Sequence, residues 1–162
     1  MITIISDTYL EGFDDKNFFY VEKALKSCTG CFSCWTKSPG LCIFKDTFNK
    51  KIINSDKLVI ISKNTYGTYS SKIKSVIDKS IPLVLPTFKV INNETHHRKR
   101  YNQYPNIHSL VYDSINEDMI KTYKAMVEAH GINLHADKVQ VDAVNKSDLK
   151  QALTMIIGGH NV

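Results

Sequence analysis

The stretch Leu58-Val-Ile-Ile-Ser62 decides the fold. Four large aliphatic residues follow one another with no polar residue between them. Strict alternation marks a strand with one wet face, whereas an unbroken apolar run of this length marks a strand covered on both faces, as in a parallel sheet wrapped by helices. The flanks agree. Upstream, residues 47–54 carry Phe48, Ile52 and Ile53 at helical spacing behind Asp46 as a cap. Downstream, Ser70 precedes a helical pattern over 71–79, with Ile73, Val76 and Ile77 on one face before Pro82.

The same alternation extends to both ends of the chain. Strands are expected at 2–6, 18–22, 109–112 and 138–144, in addition to 58–62. Residues 116–130 form the clearest helix, striped by Met119, Ile120, Tyr123, Met126 and Val127, with Gly131 as its expected stop. A last helix is expected over 147–157, ending at Gly158-Gly159. The pattern predicts one α/β domain spanning 1–162, a three-layer flavodoxin-like fold with a parallel five-stranded sheet of order 2-1-3-4-5 and a ligand crevice beyond the carboxyl ends of the strands. Residues 87–106 read as one long irregular segment, longer than ordinary connections and so expected to serve a site or an interface.

Composition narrows the function classes. The longest apolar runs are strand-sized, so no membrane span is expected. Met1-Ile-Thr-Ile-Ile-Ser6 has no basic leader and no small-residue cleavage site, so it reads as a first strand, and a cytoplasmic location is expected. The net charge of +5 comes from dispersed lysines, with one denser patch at His96-His97-Arg98-Lys99-Arg100-Tyr101. No nucleic-acid reader motif surrounds that patch, so nucleic acid is not an expected partner. The adjacent pair His96-His97 lacks the one-turn spacing of helical metal ligands.

All four cysteines fall in one window, Cys28-Thr-Gly-Cys31-Phe-Ser-Cys34-Trp-Thr-Lys-Ser-Pro-Gly-Leu-Cys42. Structural cysteines scatter among core positions, whereas two-residue spacings let successive thiolates converge on one centre. Pro39-Gly40 turns the chain so that Cys42 can fold back. Four readings are open: a [4Fe–4S] cluster, a structural zinc, a disulfide or reactive dithiol, and four reduced thiols with no ligand. A reducing compartment disfavours the disulfide.

Three segments together resemble the NAD(P)H-dependent FMN reductase and iron–sulfur flavoprotein group: the cysteine window followed by Lys45-Asp46, then Lys63-Asn-Thr-Tyr-Gly67, then Lys74-Ser-Val-Ile-Asp-Lys-Ser-Ile-Pro82. They cover about a third of the chain. The resemblance implies an FMN-dependent oxidoreductase or electron-transfer flavoprotein, with NAD(P)H as a possible donor and assembly as a homo-oligomer, a dimer or tetramer. It implies Cys28, Cys31, Cys34 and Cys42 as cluster ligands. Flavin contacts are expected from Ser6 and Thr8 at the phosphate, from Asn64, Thr65, Tyr66, Gly67, Thr68 and Tyr69 at the ring, and from Tyr112, Asp113 and Ser114 in the next loop. The redox partner and the substrate are not readable, since no G-x-G-x-x-G nicotinamide fingerprint is present.

The chain departs from the family after the first strand. A phosphate loop and a full helix are expected there, yet only about eleven residues separate Ser6 from the second strand, too few for a crossover helix and its turns. Glu11, Asp14 and Asp15 add charge that repels a phosphate. The first crossover helix is therefore expected to be reduced or missing, with part of one sheet face left bare for a partner copy. The alternative function is a flavodoxin-like domain without FMN that acts through its thiols or a metal as a redox or binding module.

Overall fold

The computed structural model describes residues 1–13, 16–44, 48–114 and 116–158. Five parallel strands form one sheet: β1 (Ile2–Ser6), β2 (Phe18–Tyr20), β3 (Lys57–Lys63), β6 (Asn106–Tyr112) and β7 (Val139–Ala143), in the order β2-β1-β3-β6-β7. The numbering jumps because β4 (Val84–Ile91) and β5 (Glu94–Lys99) pair antiparallel in a separate two-stranded sheet. With that hairpin set aside, the five strands run 2-1-3-4-5 in chain order.

Helices lie on both faces. On one face Ile5, Leu58, Ile60, Ile107 and Val111 meet Ile52 of α2 (Phe48–Ile53), Ile73 and Val76 of α3 (Ser71–Ile77), and Tyr123 and Val127 of α4 (Glu117–Asn133). On the other, Ile4, Val59, Ile61 and Leu110 meet Leu149 and Leu153 of α5 (Leu149–Gly158). The unbroken apolar run at 58–61 is thus used on both sides, and each such side chain fully removed from water contributes about 1.5–3 kcal/mol. Among the described residues no helix is long and apolar enough to cross a membrane.

One expectation is met among the described residues, and three change. The residues described between β1 and β2 contain turns and no helix, as the short connection requires. The face above them is nonetheless not bare: α5 together with Leu10 and Phe13 covers it, and Ile4 and Val59 are buried. Residues 87–106 are not irregular. They hold most of the β4–β5 hairpin, closed by Asn92 and Asn93 at φ 50° and 65°, a two-residue turn whose left-handed backbone asparagine tolerates. Gly131 does not stop α4, which runs on to Asn133. A Cβ there would lie 2.3 Å from Val139 Cγ2, so the glycine lets the helix approach β7 closely. The stop comes at His135, left-handed at φ 56°, where the Ala136 N–H bonds the Gly131 carbonyl and the His135 N–H bonds that of Ile132. Asp46 and Thr47, expected to open α2, and Gly159, expected to end α5, lie outside the described residues, as do Asp14 and Asp15.

Candidate functional site

Strand order reverses between β1 and β3, and in parallel α/β sheets the carboxyl ends at such a reversal are the usual ligand position. Two loops and the end of β6 meet there. The turn after β1 is closed on itself: the Ser6 hydroxyl donates to the Thr8 carbonyl at 2.7 Å and accepts the Thr8 N–H at 3.2 Å. Between them sits Asp7, 7 % exposed. Its Oδ2 accepts the Lys63 N–H at 2.9 Å and its Oδ1 accepts the Tyr112 hydroxyl at 2.9 Å, while Lys72 Nζ donates to its backbone carbonyl at 3.3 Å. Burial and then the Asp7 charge hold the Tyr112 phenol well above its usual range, so it stays a donor.

The loop after β3 is equally determined. Thr65 and Thr68 exchange both backbone hydrogen bonds, at 3.0 and 3.1 Å, around Tyr66 at φ 54° and Gly67 at φ 79°. Asn64 anchors the turn by accepting the Gly67 N–H at 2.9 Å and donating to Ser114 Oγ at 3.1 Å. Gly67 is required twice, since a Cβ would also lie 2.6 Å from Thr122 Cγ2. Tyr66 stands 94 % exposed at the tip, in a backbone conformation unusual for a bulky residue. Asp113, also left-handed, pairs with Lys63 at 3.3 Å.

The expected flavin residues are thus brought together in part. Ser6, Thr8, Asn64, Thr65, Tyr66, Gly67, Tyr112 and Asp113 stand at or just beyond the ends of β1, β3 and β6, where Asn64 bonds Ser114, while Asp113 and Ser114 line a separate cavity of about 390 Å³ with Ala143 and Val144. Tyr69 turns inward, 2 % exposed, with its ring against Tyr123 and its hydroxyl 3.1 Å from His130 Nδ1. Thr68 lines a different cavity, of about 480 Å³, between α3, α4 and β4. A bound phosphate needs free donors. Here the Lys63 amide and the Tyr112 hydroxyl serve Asp7, and the Thr8 amide serves Ser6, so these three donors are not free for the phosphate of FMN, whereas the Lys72 ammonium makes one bond of 3.3 Å to the Asp7 carbonyl. Asp7 is the residue that sequence reasoning missed; the signal was a carboxylate directly after the first strand, where a phosphate loop offers amides and hydroxyls.

The cysteines occupy the long connection from β2 to α2. It descends along α3, where the Leu25 N–H bonds Ser75 Oγ at 2.8 Å. It then forms α1 (Ser33–Thr36), pinned by the Trp35 indole N–H on the Val84 carbonyl at 3.0 Å and by ring contact with His97 at 5.0 Å. A tight turn follows, with the Gly40 N–H on the Cys34 carbonyl at 3.0 Å, and it returns Cys42 to the others. All four thiols are free and line one cavity of about 150 Å³, walled by Phe32, Trp35, Phe44 and Pro82. Burial and then the neighbouring Cys28, Cys42 and Cys31 push the Cys34 thiol up, whereas hydrogen bonds from Ser33 hold the exposed Cys31 below the usual thiol range.

The donor set suits a cluster in kind and number, and the walls are apolar. Among the described residues no three His, Cys, Asp or Glu side chains are close enough to hold one metal ion, so the thiols share a pocket without being drawn to ligand distance. Residues 24–32 are irregular chain, so Cys28 and Cys31 can move inward without breaking a helix or strand. The pocket also touches Lys79, Ile81 and Pro82, beyond the far end of α3. Ten residues of mainly helical chain separate Tyr69 from Lys79, a rise of about 15 Å. The cysteines thus follow β2, and the descent along α3 carries them away from the loop Thr65 to Tyr69.

The basic patch is β5 and its end. Arg98 Nε bonds the Phe88 carbonyl at 2.9 Å and Arg100 Nε the Pro82 carbonyl at 2.9 Å, so these guanidiniums staple the hairpin to itself and to the body of the domain. No protein-family model matches the chain, and a search of curated proteins finds no match.

Proposed function

We propose that this chain is a redox module of flavodoxin-like fold whose working centre is the four-cysteine pocket, with a [4Fe–4S] cluster as its resident group. One observation carries the reading: Cys28, Cys31, Cys34 and Cys42 line a single apolar-walled cavity. The strand order with the hairpin set aside supports the fold assignment. A bound cluster supplies one-electron transfer. The protein's share is to hold it through the four sulfurs, to keep water off it with Phe32, Trp35 and Pro82, and to direct hydrogen bonds from Ser33 toward the Cys31 sulfur. A homodimer or tetramer belongs to the same reading, supported by Phe88 and Val90 standing 56 % and 69 % exposed on the hairpin.

The test is purification without oxygen, or reconstitution with iron and sulfide, followed by iron, sulfide and zinc analysis and an absorbance spectrum. Four iron atoms per chain, lost in Cys34→Ser and Cys42→Ser while far-UV circular dichroism is unchanged, is the expected result. Stoichiometric zinc, or iron content that ignores these substitutions, overturns it. A second reading, a flavin oxidoreductase with NAD(P)H as donor, is favoured by the exposed aromatic face of Tyr66 at the strand ends.

A further inference from the structure

We infer that Lys79 is the resident counter-charge of the four-cysteine pocket, and that it makes the cavity favour a negatively charged, thiolate-held centre over the empty state. The inference rests on the reading of the cysteines as ligands and adds the residue that balances their charge. Among the described residues that line the cavity, Lys79 is the one lysine or arginine, and no aspartate or glutamate is with it. Lys79 follows the end of α3 and is 6 % exposed, and its carbonyl accepts the Asn49 side-chain amide at 2.8 Å. The neighbouring Asp78 is engaged by Lys74, and among the described residues no carboxylate pairs with the Lys79 ammonium. Lysines are almost never this buried unless paired. Taking an ammonium out of water without a counter-ion is costly, so the empty pocket leaves a charge uncompensated.

The four thiols supply what is missing. Four thiolates outweigh the charge of a divalent metal or of a cluster core, so any centre they hold together is net negative. The walls of Phe32, Trp35, Phe44 and Pro82 make the surroundings apolar, and opposite charges attract most strongly where water is excluded. An electron added to the centre makes it more negative, so the same ammonium also favours reduction. Lys26 and Lys37, on the same connection, are exposed and lie outside the cavity lining, where water weakens their pull.

Cobalt(II) titrated into the full metal-free chain, under reducing conditions and without oxygen, is the probe, read by its thiolate charge-transfer absorbance. Lys79→Met removes the charge at similar length and should weaken cobalt binding by roughly 10- to 100-fold, the scale of one charge acting at close range in a medium of effective dielectric about 20. Lys37→Met removes the same net charge outside the cavity and should change the affinity by no more than a few-fold. The urea midpoint of metal-free Lys79→Met should equal or exceed that of wild type, because an unpaired buried charge is gone, and this arm also establishes that the variant folds. In the chain reconstituted with iron and sulfide, Lys79→Met should lower the one-electron midpoint potential by about 59 mV for each tenfold loss in the reduction equilibrium. No cobalt binding by wild type at millimolar concentration, equal affinities in wild type and Lys79→Met, equal losses in the Lys79 and Lys37 variants, or a lower urea midpoint for Lys79→Met overturns the inference. A resident zinc defeats the cluster reading and leaves this one standing, whereas equal cobalt affinities do the reverse.

Discussion

Replacing Gly131 by alanine tests the close approach of α4 to β7. In an exposed helix interior the change is favourable by about 1 kcal/mol, because glycine has the larger backbone entropy to lose. Here the new methyl falls 2.3 Å from Val139 Cγ2, at least about 1.2 Å inside the 3.5 Å at which carbon atoms rest. Valine branches at Cβ and cannot swing the methyl away as a longer chain would. Overpacking of this kind costs about 1–3 kcal/mol, and an overlap this deep belongs at the upper end. Set against the helix gain, the net loss is about 2 kcal/mol. With a urea slope of about 2 kcal/mol/M, the unfolding midpoint should fall by about 1 M. The second arm is a double-mutant cycle: in a Val139→Ala background the obstructing methyl is gone, so Gly131→Ala should become neutral or stabilising. An unchanged or raised midpoint for Gly131→Ala alone would refute the packing argument.

Three further outcomes are expected. Tyr66→Asn should raise the melting temperature, by the equivalent of about 1 kcal/mol, since asparagine accepts the left-handed backbone that an exposed tyrosine holds at a cost; a lower melting temperature would show that the ring is held by contacts. Gly67→Ala should destabilise by roughly 1–3 kcal/mol in chemical denaturation, through both its φ of 79° and the Thr122 methyl 2.6 Å away, and a stability equal to wild type would count against that turn. Burial and then the Lys74 charge hold the His130 imidazole down to about 4 from 6.5, and its Nε2 is buried with no partner among the described residues. Between those values the unfolded chain carries the extra proton, so this contribution is whole above about pH 6.5 and shrinks as pH falls toward 4, by on the order of 3 kcal/mol. Urea midpoints of wild type and His130→Leu should therefore converge or cross on acidification, and parallel pH profiles would remove His130 as the cause.

Much of the secondary structure is legible in the sequence because it is written in short-range rules. Short apolar runs gave β1, β3 and β6 to within a few residues, and stripes at three- and four-residue spacing gave α3 and α4. That the described residues between β1 and β2 hold no helix was legible from chain length alone. The hairpin was local as well, but Asn92-Asn93 lacks the glycine that usually announces such a turn. The cysteine window by itself brought the four thiols close in sequence, and in the structure they line one cavity. Its position did not follow, because Leu25 on Ser75 and Trp35 on Val84 join segments about fifty residues apart, and these contacts draw the connection away from the strand ends. Gly131 reads as a stop until Val139 is seen beside it. Asp7 reads as a loop residue until Lys63 and Tyr112 converge on it. Periodicity and turn chemistry act over a few residues and so can be read along the chain, whereas steric fit and the sharing of hydrogen-bond donors depend on which distant segments meet, and only the folded structure decides that.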